Sequence, residues 1–172
     1  MMQMLNAGGV PALTDNRRPR DAHNVLGYFE YEPVKHLARD ASWMGSARGR
    51  AVKIIYRLLR YLPPEFEYRV VFMERELGEV FASQEDMLRA RGEIAAYQDK
   101  QRIIAAFGVE IEEARAWLAS QSNIQMMFAP YAEIVANPEK WAYELSRFLD
   151  GLNIPAMVAS VDPRLRHHIA LS

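Results

Sequence analysis

The apolar positions of this chain change rhythm several times, and the clearest change falls between Tyr68 and Met87. An unbroken apolar run, Val70 to Met73, gives way to Glu74 and Arg75. From there the apolar residues recur at helical spacing, with Leu77, Val80, Phe81 and Leu88 on one face. The pattern predicts a strand over 68–73, a short polar turn, and a helix to about Arg91 and Gly92. Two other runs predict strands: Ala51 to Ile55, which is short and partly β-branched, and Asn123 to Ala129. A long apolar face at Ile103, Phe107, Ile111, Ala114 and Leu118 predicts a helix from about Glu93 to Ser120, kinked or divided at Gly108. Pro138 behind Asn137 predicts a capped helix that buries Trp141, Leu145, Phe148 and Leu149 and ends at Gly151.

The flanks are weaker. Met1 to Ala7 reads as a short apolar helix stopped by Gly8, Gly9 and Pro11. Residues 14–27 are polar and loop-like, and Pro33 opens a further helix with Val34, Leu37 and Ala38 inward. Pro63 and Pro64 break the chain before the second strand, and the tail from Ile154 predicts one short helix and an irregular end. Strands alternating with helices argue for an α/β fold, a parallel sheet flanked by helices. A length of 172 residues suits one domain over 1–172.

Composition narrows the chemistry. The net charge of −1 gives no bulk attraction to nucleic acid or anionic lipid. The cluster Arg17, Arg18 and Arg20 is flanked by Asp15 and Asp21 and carries no interleaved aromatics, so it reads as a solvated loop. The chain has no cysteine, which removes thiolate catalysis and cysteine-ligated zinc and fits a reducing cytoplasm. His167 and His168 are adjacent and point in different directions, so no metal site is expected. No apolar stretch is long enough for a membrane span.

Ligands of open α/β sheets bind at the carboxyl ends of the strands, where Arg75 falls. Its guanidinium suits a phosphate, through bidentate charge-assisted hydrogen bonds. Ser83 follows eight positions later, two turns into the helix. The plainer alternative is an Arg paired with Glu74, Glu76 or Glu79, and a Ser on a helix surface.

The stretch ERELGEVFASQ, Glu74 to Gln84, resembles the 3′-phosphate-binding motif of the P-loop sulfotransferase superfamily, in its bacterial sulfotransferase-like branch. That motif has an Arg after a strand, an acidic residue four positions on and a Ser eight positions on, matched by Arg75, Glu79 and Ser83. Leu77 stands where the family usually has Pro. NVLGYFEYEPV, NIQMMFAPYAEIVANPEKWAYELSRFLDG and VDPRLRHH resemble further segments of the branch, in order, over nearly the whole chain. The family's first strand and its Gly-rich loop, which holds the 5′-phosphosulfate, have no counterpart here. GSARGRAVK, Gly45 to Lys53, is no substitute, because it precedes a predicted strand.

The resemblance implies a P-loop sulfotransferase-like fold lacking its first strand, with 3′-phosphoadenosine-5′-phosphosulfate as co-substrate and a small-molecule or glycan hydroxyl or amine as acceptor. Arg75 and Ser83 would hold the 3′-phosphate. The catalytic residue stays open, with Lys53 and Glu30 as weak candidates, since relatives place His where this chain has Ile55. Without the 5′ loop the activity of the chain as it stands is in doubt. A non-catalytic remnant that binds partners is the alternative, and an unrelated small α/β nucleotide-binding protein a third reading. A sheet lacking an inner strand leaves unpaired edges, which predicts a marginal or aggregation-prone chain, or a homodimer.

Overall fold

The structure is a computed structural model that describes residues 1–15, 17, 27–90, 92 and 99–162. Arg18, Arg20, Asp21, Arg164, Arg166, His167 and His168 lie outside the described residues, as do 93–98, where the long helix was expected to begin. Its centre is a two-stranded parallel sheet among helices, which is the α/β character the patterning predicts. Strand β1 (Tyr68–Glu74) pairs with β2 (Ile124–Pro130) in a register running from Tyr68↔Ile124 to Glu74↔Pro130. Between them the chain forms α2 (Leu77–Ala90) and α3 (Lys100–Ala119). A parallel pair needs such a crossover, because a tight turn cannot return the chain to the starting end.

Side chains alternate across a strand, so β1 feeds two cores at once. Val71 and Met127 pack into a cluster built on Met4, Leu5, Trp141, Leu145 and Met157. Val70, Phe72, Met126 and Phe128 pack into a second, built on Leu37, Trp43, Leu59, Leu62 and Leu118. Burial on both faces is why Val70 to Phe72 reads as a continuous apolar run, which the exposed Met73 extends by one residue. The first cluster is closed by α1 (Met2–Gly8), α4 (Tyr131–Ala136), α5 (Pro138–Phe148) and α6 (Ile154–Ala159). The second is closed by α3 and by single 3₁₀ turns at Glu32–His36, Ser42–Ala47 and Tyr56–Tyr61.

Four local expectations need correction. Residues 51–55 do not form a strand: Ala51 makes one isolated parallel bridge to Ala12, and a 3₁₀ turn begins at Tyr56. β propensity needs a partner backbone on the hydrogen-bonding edge. Beyond Ala51 that edge faces a cavity, and Ile55 is exposed. The segment opened by Pro33 is a 3₁₀ turn, not an α-helix. Gly108 does not divide α3, which runs unbroken through it, and a Cβ there would stand 3.9 Å from Leu77 Cδ1 of α2. Asn137 stands at the start of α5, but its side chain makes no capping bond. Side-chain caps occur instead at Asp99, which accepts from Arg102 N–H at 3.1 Å, and at Asn153, which accepts from Ala156 N–H at 3.1 Å. The close of α5 is as expected: Gly151 adopts a positive φ of 92° and its N–H reaches back to Ser146 O.

Candidate functional site

Arg75 follows the last residue of β1 and stands two positions before α2. The helix is entered through Glu76, whose carbonyl accepts from Val80 N–H at 3.1 Å. Because Glu74 pairs with Pro130, the next residue of each chain segment lies at the same sheet end. Those residues are Arg75 and Tyr131, and the guanidinium stacks over the Tyr131 ring, 5.1 Å from its centroid. Its Nε donates to Glu79 Oε2 at 3.3 Å. Glu79 is only 9% exposed, so this carboxylate fixes the guanidinium from below. Ser83 stands one helical turn beyond Glu79, on the same side of α2.

Arg75 and Ser83 line one cavity of about 1500 Å³. So the two side chains of the predicted pair do share a space, at the carboxyl end of β1. The cavity runs the length of the strand: residues 67–75 all contribute to one wall. Residues 47–54 also line it, as do Met1, Leu5 and Leu152. Cations predominate over acids in the lining. Arg48, Arg50, Lys53, Arg69 and Arg75 are set against Glu67 and Glu74 in a chain whose net charge is −1. Glu74 is itself paired with Arg115 at 2.8 Å, Arg69 with Asp150 and Arg75 with Glu79. The space therefore suits an anionic, partly apolar ligand.

The two weak catalytic candidates separate. Lys53 lines the cavity, where its Nζ donates to Tyr28 O at 3.3 Å. Glu30 is not among the lining residues, and its carbonyl accepts from Thr14 Oγ1 and Asp15 N–H. Among the described residues no group of three His, Asp or Glu side chains could hold a metal ion, and no helix is long and apolar enough to cross a membrane. Sequence reasoning missed Tyr131 and the basic wall around Arg48 and Arg50. Tyr131 was within reach: it directly follows the second predicted strand and so falls at the same sheet end as Arg75. The basic residues were not, because they join the lining only through the tertiary arrangement. No family model, curated protein or solved structure matches this chain.

Proposed function

We propose that this chain is a sulfotransferase-like nucleotide-binding domain, and that Arg75 and Ser83 take the 3′-phosphate of 3′-phosphoadenosine-5′-phosphosulfate. The observation that carries the reading is that both side chains line a single cation-rich cavity at the carboxyl end of β1. The Glu79 carboxylate and the Tyr131 ring hold the guanidinium plane in place before any ligand arrives, which lowers the ordering cost of binding. In this reading the fold is a P-loop sulfotransferase-like sheet without its first strand and 5′-phosphosulfate loop. Sulfuryl transfer to a hydroxyl or amine of a small molecule or glycan is the activity it is related to. Charge stabilisation and positioning dominate such transfers.

A second reading is a binding module without catalysis. It is favoured by the position of Glu30 outside the cavity lining and by the tie between Lys53 and a backbone carbonyl. Both readings share the 3′-phosphate site. The test is calorimetry with adenosine 3′,5′-bisphosphate. The chain is expected to bind it, and Arg75→Ala to weaken binding by about 10- to 100-fold, the worth of one or two hydrogen bonds to a charged group. Arg147→Ala, on the exposed face of α5, is expected to leave affinity unchanged. Equal affinities for the three proteins would remove the site assignment.

A further inference from the structure

Among the described residues a positive φ occurs at five glycines and at two other residues, Asp150 at 60° and Phe29 at 50°. Glycine meets no Cβ clash there, and aspartate is a residue type that tolerates the region. The Asp150 carboxylate also has a partner in Arg69. A bulky aromatic in this conformation is an outlier, and it persists only where its surroundings hold it. They hold Phe29 from both sides. The Lys53 ammonium donates to Tyr28 O at 3.3 Å. The Glu30 carbonyl accepts from Thr14 Oγ1 at 2.9 Å and from Asp15 N–H at 3.3 Å.

Core packing does not account for a ring at a position that suits glycine. Phe29 packs into neither hydrophobic cluster. It is half-buried and lines the cavity, with Gly27 and Tyr28. Two of the lining cations also have no ion pair among the described residues. Arg48 stacks over the Phe66 ring, 5.2 Å from its centroid, and Arg50 donates to Ala12 O at 3.4 Å. An anion that enters therefore meets charge to answer its own, and a ring that its apolar body can face.

We propose that Phe29 is a ligand-contact residue, held in a strained backbone so that its ring meets the body of an aromatic anion: a flat ring compound carrying a carboxylate, sulfonate or phosphate. Aromatic rings meet in offset or edge-on pairs, and an aliphatic body of similar size does not reproduce that attraction. A side chain with two torsions is cheap to order, and the pinned backbone orders it further before a ligand arrives. The inference does not rest on the 3′-phosphate reading, because it uses neither Arg75 nor Ser83.

The probes are naphthalene-2-sulfonate and octane-1-sulfonate, titrated into the full chain by calorimetry. The wild-type chain is expected to bind the naphthalene compound saturably, about fivefold more tightly than the octane compound. Phe29→Gly removes both the ring and the strain. It should unfold at higher urea than Phe29→Ala, while both bind naphthalene-2-sulfonate about tenfold more weakly than wild type. Phe29→Tyr keeps the ring and should keep the affinity. Where Phe29→Ala does not fold, Phe29→Gly carries the affinity comparison. Wild-type affinity in Phe29→Gly would overturn the proposal, as would equal affinity for the two sulfonates or no uptake of naphthalene-2-sulfonate at millimolar concentration. A Phe29→Gly chain less stable than Phe29→Ala would also overturn it, since the position would then hold no strain. Titrating adenosine 3′,5′-bisphosphate into the wild-type chain separates the two ideas: nucleotide uptake without naphthalene-2-sulfonate uptake defeats only the Phe29 contact, and the reverse defeats only the phosphate site.

Discussion

At the scale of single residues, Arg75 carries two loads. It faces the cavity, and it places a cation beside the nearly buried Glu79. Arg75→Ala is therefore expected to lower unfolding stability by about 1 kcal/mol in urea titrations, in addition to its effect on nucleotide affinity. Arg75→Lys keeps the charge but loses the planar fork, so it should restore part of the stability and little of the affinity. Ser83→Ala removes one neutral donor, and a loss of affinity of about tenfold at most is expected by calorimetry. Tyr68 gives a test of burial. Its hydroxyl donates to Pro63 O at 2.8 Å, and burial, with a smaller contribution from Glu65, pushes the phenol up to about 12. The folded value lies above the unfolded one, so the neutral phenol's contribution is complete below about pH 10 and is lost as pH rises towards 12. The urea midpoint of the wild-type chain should fall across that window more steeply than that of Tyr68→Phe.

At the scale of elements, what holds the helices to the sheet is mostly apolar volume. Leu118 of α3 is fully buried in the second cluster, and Leu118→Ala should cost about 2–5 kcal/mol of unfolding free energy. Gly8 tests the opposite limit. A Cβ there would stand 2.8 Å from Met157 Cγ and 3.3 Å from Leu152 Cβ, where α1 meets α6. Overpacking costs about 1–3 kcal/mol, against up to about 1 kcal/mol gained from alanine's helix propensity, so Gly8→Ala should destabilise on balance in thermal melts. Helix α3 is also tied to the 56–61 turn by charge: Arg57 Nε donates to Glu110 Oε2 at 2.7 Å, and the Tyr56 hydroxyl donates to the same oxygen at 2.7 Å. These bonds, Arg57 first, lower the Glu110 pKa. Their contribution is present above the ordinary carboxylate range and is lost as pH falls through the lowered folded value. Both strands of the sheet were legible in the sequence because each is an apolar run bounded by polar turns. The 51–55 segment carries the same β-branched signal, yet it stops at one bridge. Its missing partner is a property of the tertiary arrangement, which local pattern does not report. The short 3₁₀ turns escaped for the related reason that their apolar residues, Trp43, Met44 and Leu59, show no sustained period.

At the scale of the whole molecule, one long cavity separates a paired half of the sheet from a half that stops short of pairing. Arg75, Ser83 and Lys53 are among its lining residues, and β1 has one strand neighbour among the described residues. That Arg75 and Ser83 line one cavity agrees with their placement on either side of a strand-to-helix junction, which the sequence pattern did show. The basic residues Arg48 and Arg50 could not be read from it, since they join the lining only through the tertiary arrangement. A two-stranded sheet with an open edge should also be vulnerable in solution, and light scattering is expected to show association that rises with concentration. The anion site proposed at the junction bears most of the account. Its most direct test is a nuclear magnetic resonance titration of the chain with adenosine 3′,5′-bisphosphate, following the Arg75 side-chain Nε–H and the Ser83 amide. Both signals should shift together in one saturable process while the Nε–H of Arg147, exposed on α5 and not among the lining residues, stays still. No shift at Arg75 and Ser83, or a larger one at Arg147, would contradict it.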